Sequence, residues 1–93
     1  MNIKMRIDVD TLTSIQKLFP GKTVLQIIDY AEKGIYTVRA VPNNRVKDAD
    51  KWLDGIYSVK KNDLTKFDGF QPMMNDPEIY FNLPEDRIIY KVK

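Results

Sequence analysis

The chain has 93 residues, of which 43% are hydrophobic, 30% charged and 11% aromatic, a composition that predicts one globular domain over residues 1–93 and excludes a disordered chain. Cysteine is absent, which excludes a disulfide framework and a thiolate zinc site and makes the cytoplasm the expected compartment. Histidine is absent as well and the formal net charge is only +2, so the commonest general base is missing and nucleic-acid binding is implied only where cations cluster.

In chain order, Met1-Asn2-Ile3-Lys4-Met5-Arg6 breaks its apolar residues with charges, so neither a signal peptide nor a membrane span is expected. Ile3, Met5, Ile7 and Val9 alternate with Asn2, Lys4, Arg6 and Asp8, the period of a strand with one buried face. Asp10 suits the N-cap of a helix over residues 11–19, where Leu12, Ile15, Leu18 and Phe19 recur at helical spacing until Pro20-Gly21 stops it. Over residues 23–33, Thr23 with Gln26 has the form of a capping box and Gly34 suits the position after a helix end. A second helix is predicted there, although Val24, Ile27 and Ile28 are strand formers.

Three segments then share one pattern, Ile-Tyr-x-Val-basic: Ile35 to Arg39, Ile56 to Lys60 and Ile89 to Lys93. β-branched and aromatic residues at this spacing predict three strands, each placing its Tyr and Val on one face. The unequal spacing speaks against a solenoid and for one packing problem solved three times. Pro42-Asn43-Asn44 reads as a turn, and residues 48–53 read as a helical turn carrying Trp52 to the core. Lys61-Asn62-Asp63 reads as the turn of a hairpin back into Leu64 to Phe67. Residues 73–84, bounded and interrupted by prolines, read as a loop with Ile79, Tyr80, Phe81 and Leu83 inward. The predicted fold class is α+β, a small antiparallel sheet of about four strands packed on one face by two short N-terminal helices.

If the Tyr and Val positions, with Met5 and Ile7, face the helices, alternation sends Lys4, Arg6, Arg39, Lys60, Lys91 and Lys93 to the opposite face, with Asp8 the one acid among them. Ile35, Ile56 and Ile89 fall on that face too, and exposed together they would make an apolar patch among cations. The competing expectation is that a helix or residues 73–84 cover the isoleucines while the lysines reach past the cover into water. On the exposed reading, charge reversal at Arg39 or Lys60 costs binding but no more than about 0.5 kcal/mol of stability.

Chemical motifs are few. Gly34-Ile35-Tyr36 and Gly55-Ile56-Tyr57 resemble the first signature of the GIY-YIG nucleases. No Tyr-Ile-Gly follows either copy, so the resemblance implies no activity and carries no site. Asp48, Asp50 and Asp54 precede Gly55, but Trp52, Leu53 and Val59 occupy positions where an EF-hand loop needs a ligand, a glycine and a glutamate. A helix-turn-helix drawn from Thr11 to Lys33 would present Asp29 and Glu32 to phosphate, which repels them. An RNA recognition motif displays its sheet aromatics, whereas Tyr36, Tyr57 and Tyr90 are expected inward.

No catalytic, cofactor or metal residues are therefore predicted. The pattern implies a non-catalytic inhibitor or adaptor that binds an acidic protein through the basic, isoleucine-bearing face or an exposed strand edge, in the manner of the small accessory proteins of phages and mobile elements. The alternative is a nucleic-acid-binding regulator touching phosphates through the same cations. Self-association through an edge strand is compatible with either.

Overall fold

A computed structural model of the chain describes residues 3–51, 55–68 and 85–92. The strands are β1 (Ile3–Met5), β2 (Lys22–Tyr30), β3 (Ile35–Pro42), β4 (Ile56–Lys60), β5 (Asp63–Asp68) and β6 (Ile88–Val92), and the α-helix α1 is Val9–Lys17. They form one antiparallel sheet of six strands in the order β1-β6-β2-β3-β4-β5. The architecture is thus mostly sheet, with one α-helix and short 3₁₀ segments at Ala31–Lys33, Asn43–Lys51 and Glu85–Arg87. Residues 52–54, which include Trp52, and the loop expected over 73–84 lie outside the described residues.

The predicted second helix is corrected to strand β2. Its helical spacing has a specific origin. Val24 pairs with Ala40 and Gln26 with Arg39, so Leu25 is an extra residue, a β-bulge. A bulge resets the two-residue alternation, and Val24 and Ile27, three apart, both enter the core beneath α1. Ile28, on the other face, is buried as well. Apolar residues at 24, 27 and 28 therefore imitate a helix while serving a strand buried on both sides. A strand here also removes the helix-turn-helix alternative.

The first helix begins two residues earlier than expected and ends at Lys17. Asp8, in extended conformation, is its N-cap in place of Asp10: the Thr11 N–H donates to Asp8 Oδ2 at 2.9 Å and the Thr11 hydroxyl donates to Oδ1 at 2.7 Å. β1 accordingly stops at Met5, Ile7 is buried, and Val9 turns outward. Leu12, Ile15 and Phe19 pack on Val24, Ile27, Val38, Ala40, Val59 and Tyr90 to form the main core. The expected inward placement of Tyr36, Tyr57, Tyr90 and Val92 is what the sheet shows.

The hairpin β4–β5 follows Lys61-Asn62 as expected. Asn43 does not turn the chain alone; it opens the 3₁₀ segment and accepts a hydrogen bond from the Thr23 hydroxyl. Gly55 has φ +79°, and a Cβ there would stand inside contact distance of the Ala40 carbonyl oxygen. The same peptide is tied to β3 by the Ala40 N–H, which donates to the Gly55 carbonyl at 2.8 Å.

Two outcomes follow for stability. Gly55→Ala combines left-handed strain with a backbone clash, and is expected to cost at least about 1–3 kcal/mol in a denaturant titration; an unchanged midpoint would refute the close approach. The hydrogen bonds from Thr11 hold the Asp8 carboxyl below its ordinary value. A lowered acid contributes stability that is present above its unfolded pKa and is lost as pH falls through the lowered folded value. Asp8→Ser keeps a cap and should remove this acid-side loss, seen as a flatter stability profile below the carboxylate range than that of the native chain.

Candidate functional site

Cross-strand register brings the predicted cations into a row. Lys4 stands opposite Lys91, Lys91 opposite Gln26, Gln26 opposite Arg39, and Arg39 opposite Ile56. All of these positions lie on the sheet face opposite α1. Ile35 and Lys60 pair with each other on the same face, farther along β3. Arg6 follows β1; its N–H donates to the Ile89 carbonyl at 2.7 Å and its Nη2 to the Ile88 carbonyl at 3.4 Å. Lys93 lies outside the described residues.

The exposed basic face is corrected in two respects. Its centre is not in water: Arg39 is 5% exposed, Ile56 1%, Thr37 1% and Ile35 9%. The sheet is covered on both sides, and the cations that remain exposed, Arg6, Lys60 and Lys91, stand at its margins. Ile89 also leaves this face. Ile27 pairs with Tyr90 but Ile28 with Ile88, so Ile89 is a bulge residue and packs toward the main core. Ile88 takes its place, closing a second cluster with Ile28, Ile56 and Tyr30. The third copy of the Ile-Tyr-x-Val pattern thus differs from the first two in the one position that alternation was to decide.

Sequence reasoning missed Gln26, Ile28, Tyr30, Thr37, Ser58 and Ile88. The first three lie in β2, whose apolar spacing imitates a helix. Thr37 and Ser58, directly paired and both buried, carry the signal of a small polar residue at the middle of the first two Ile-Tyr-x-Val strands, where the third has Lys91.

Other cations are engaged in straps. Arg87 Nη1 donates to both carboxylate oxygens of Glu32 at 3.0 and 2.8 Å and its guanidinium lies over the Tyr30 ring. Backbone hydrogen bonding and the Arg87 contact hold the Glu32 carboxyl below its ordinary value. Lys61 Nζ meets Asp29 at 2.6 Å and lies over the Tyr36 ring, and hydrogen bonding to Asp29 raises its pKa. On the helix side, Phe19, Tyr57 and Phe67 form an aromatic triangle with centroids 4.8–5.0 Å apart, and Lys22 Nζ donates to the Tyr57 hydroxyl at 2.7 Å. This corner fastens the end of α1 to β4 and β5.

Among the described residues no three His, Cys, Asp or Glu side chains gather as metal ligands, and no helix is long and apolar enough to cross a membrane. Comparison with protein-family models, with curated proteins and with solved structures found no match.

Charge reversal now separates the two ends of the basic set. Arg39→Glu places a carboxylate at a buried position and is expected to cost roughly 3 kcal/mol or more. Lys60→Glu, at an exposed position, should stay within about 0.5 kcal/mol. Equal stabilities of the two variants in chemical denaturation would mean that the second face is open after all.

Proposed function

We propose that the chain is a non-catalytic binding protein that takes an acidic protein partner at the β1–β6 margin of the second sheet face, with Lys4, Arg6 and Lys91 as its cations. The register of Lys4 directly opposite Lys91 carries this reading. Like charges directly opposed across two strands destabilise a sheet. Carboxylates laid over them by a partner remove that cost, so the free chain holds a defect that an acidic surface repairs. Lys91 and Arg6 are both exposed to such a partner, and a one-signed margin speeds the encounter.

The buried residues of the earlier set take a supporting role in this reading. Arg39, Ile35 and Ile56 are covered and hold the sheet beneath the margin, while Lys60 stands apart, paired in register with Ile35 rather than with the Lys4 row. The absence of histidine and cysteine from the whole chain removes the residues on which most nucleophilic and acid–base catalysis relies.

Lys91→Glu tests the proposal because stability and binding should move in opposite directions. The substitution turns an opposed like-charge pair into an attractive one and should raise the stability of the free protein by about 0.2–1 kcal/mol. Capture of an acidic protein from nuclease-treated lysate, seen with the native chain and weakened by salt, should fall to background. Retention of the same protein by Lys91→Glu would refute the site. Capture that nuclease abolishes would assign the cations to nucleic-acid phosphates instead.

A further inference from the structure

Resting on the acidic-partner reading, we infer how that partner binds: as an added strand on the outer edge of β1, in which an acidic residue flanked by apolar residues stands in register with Lys4. Among the described residues, β1 is paired on one side only, with β6. The phase of its outer edge is set by the Arg6 N–H, which donates to the Ile89 carbonyl. In an antiparallel ladder this inward pairing recurs every second residue, so Lys4 also directs its N–H and C=O to β6. Ile3 and Met5 direct theirs to the outer edge, which no strand occupies among the described residues, and there an incoming strand would find two docking residues.

The rows of the sheet then specify the partner's pattern. A residue placed directly opposite Lys4, about 4.8 Å beyond β1, extends the row Lys4, Lys91, Gln26, Arg39. An acid at that place would meet an otherwise one-signed run of charge. The residues on either side of it belong to the other face, in line with the rows Ile3–Val92 and Met5–Tyr90. Those rows run into the core beneath α1 through Tyr90 and Val92, so apolar side chains suit them. The partner segment therefore reads apolar-acidic-apolar.

A second copy of this chain is a poor occupant, because its own β1 would bring lysine and arginine against lysine and arginine. The opposite edge of the sheet is a poor template too. β5 pairs with β4 only at Ser58–Asp68 and Lys60–Asp63, with the register broken between them, and its edge mixes Asp63, Lys66 and Asp68.

The test is an NMR titration of the full ¹⁵N-labelled chain with the blocked peptide Val-Glu-Val-Glu-Val, its lysine counterpart Val-Lys-Val-Lys-Val, and the non-alternating Glu-Glu-Val-Val-Val. The alternating acidic peptide should shift the amides of Ile3 and Met5 and slow their exchange at least about tenfold, as new strand hydrogen bonds do. The lysine peptide should not. Lys4→Glu should invert that preference, and Met5→Pro, which deletes an outward N–H and spares the ladder to β6, should abolish binding. If Met5→Pro does not fold, the inversion in Lys4→Glu decides. Shifts at Arg6 and Lys91 from both acidic peptides, without Ile3 and Met5, would overturn strand addition and leave the acidic-partner reading standing. No shift from either acidic peptide would overturn both. Shifts of Ile3 and Met5 with protein concentration alone would give the edge to self-pairing and overturn the inference.

Discussion

β2 is hydrogen-bonded along both of its sides, to β6 and to β3, and among the described residues it alone joins the β1–β6 pair to the β3–β4–β5 run. Every other feature depends on that position. A strand in the middle of a sheet with cover on both faces must bury side chains of both parities, and Ile27 and Ile28, adjacent in sequence, are each fully enclosed in a different cluster. The bulge at Leu25 precedes this pair and the bulge at Ile89 lies on β6 opposite the step between them, so the rows of the two cores do not follow a strict alternation.

Two-sided burial decides where charge can go. Taking an ion out of water is costly unless its hydrogen-bonding capacity is met, so the interior of the second face is mostly isoleucine with Thr37 and Ser58, and Arg39 is the one cation drawn into it among the described residues. Among the remaining cations two sets contrast. Lys61 and Arg87 close ion pairs with Asp29 and Glu32 while lying over Tyr36 and Tyr30, which ties the 3₁₀ turns and hairpin loops to the sheet. Lys4 and Lys91 instead stand opposite each other in a ladder, an arrangement that disfavours the free chain and, in the proposal, suits an anionic partner.

The proposed site follows from that contrast. Surface ion pairs contribute little to stability, so the straps matter less for their energy than for tying Lys61 to Asp29 and Arg87 to Glu32, whereas in the proposal Lys91, exposed at the margin, meets an acid of the partner. Placing the margin at β1 also couples charge to backbone, because the strand that carries Lys4 is the one whose outer edge has no strand beside it among the described residues.

Much of the fold is legible in the residues themselves. Leu12, Ile15 and Phe19 announce a helix, the three Ile-Tyr-x-Val segments announce strands, and the Tyr and Val positions name the core face, because side-chain periods of 3.6 and 2 are local properties of the backbone. What the chain could not reveal locally is which strands neighbour which. Pairing of β6 between β1 and β2 joins residues from opposite ends of the sequence, and the bulge at Ile89 exists only relative to that neighbour. The same holds for exposure. Alternation assigned Arg39, Lys60 and Lys91 to one face, but whether that face met water depended on chain packed over it from elsewhere. Sequence by itself therefore determined the parity of side chains and the kinds of element, while tertiary structure decided their burial and register, since both are properties of contacts between segments rather than of any one segment.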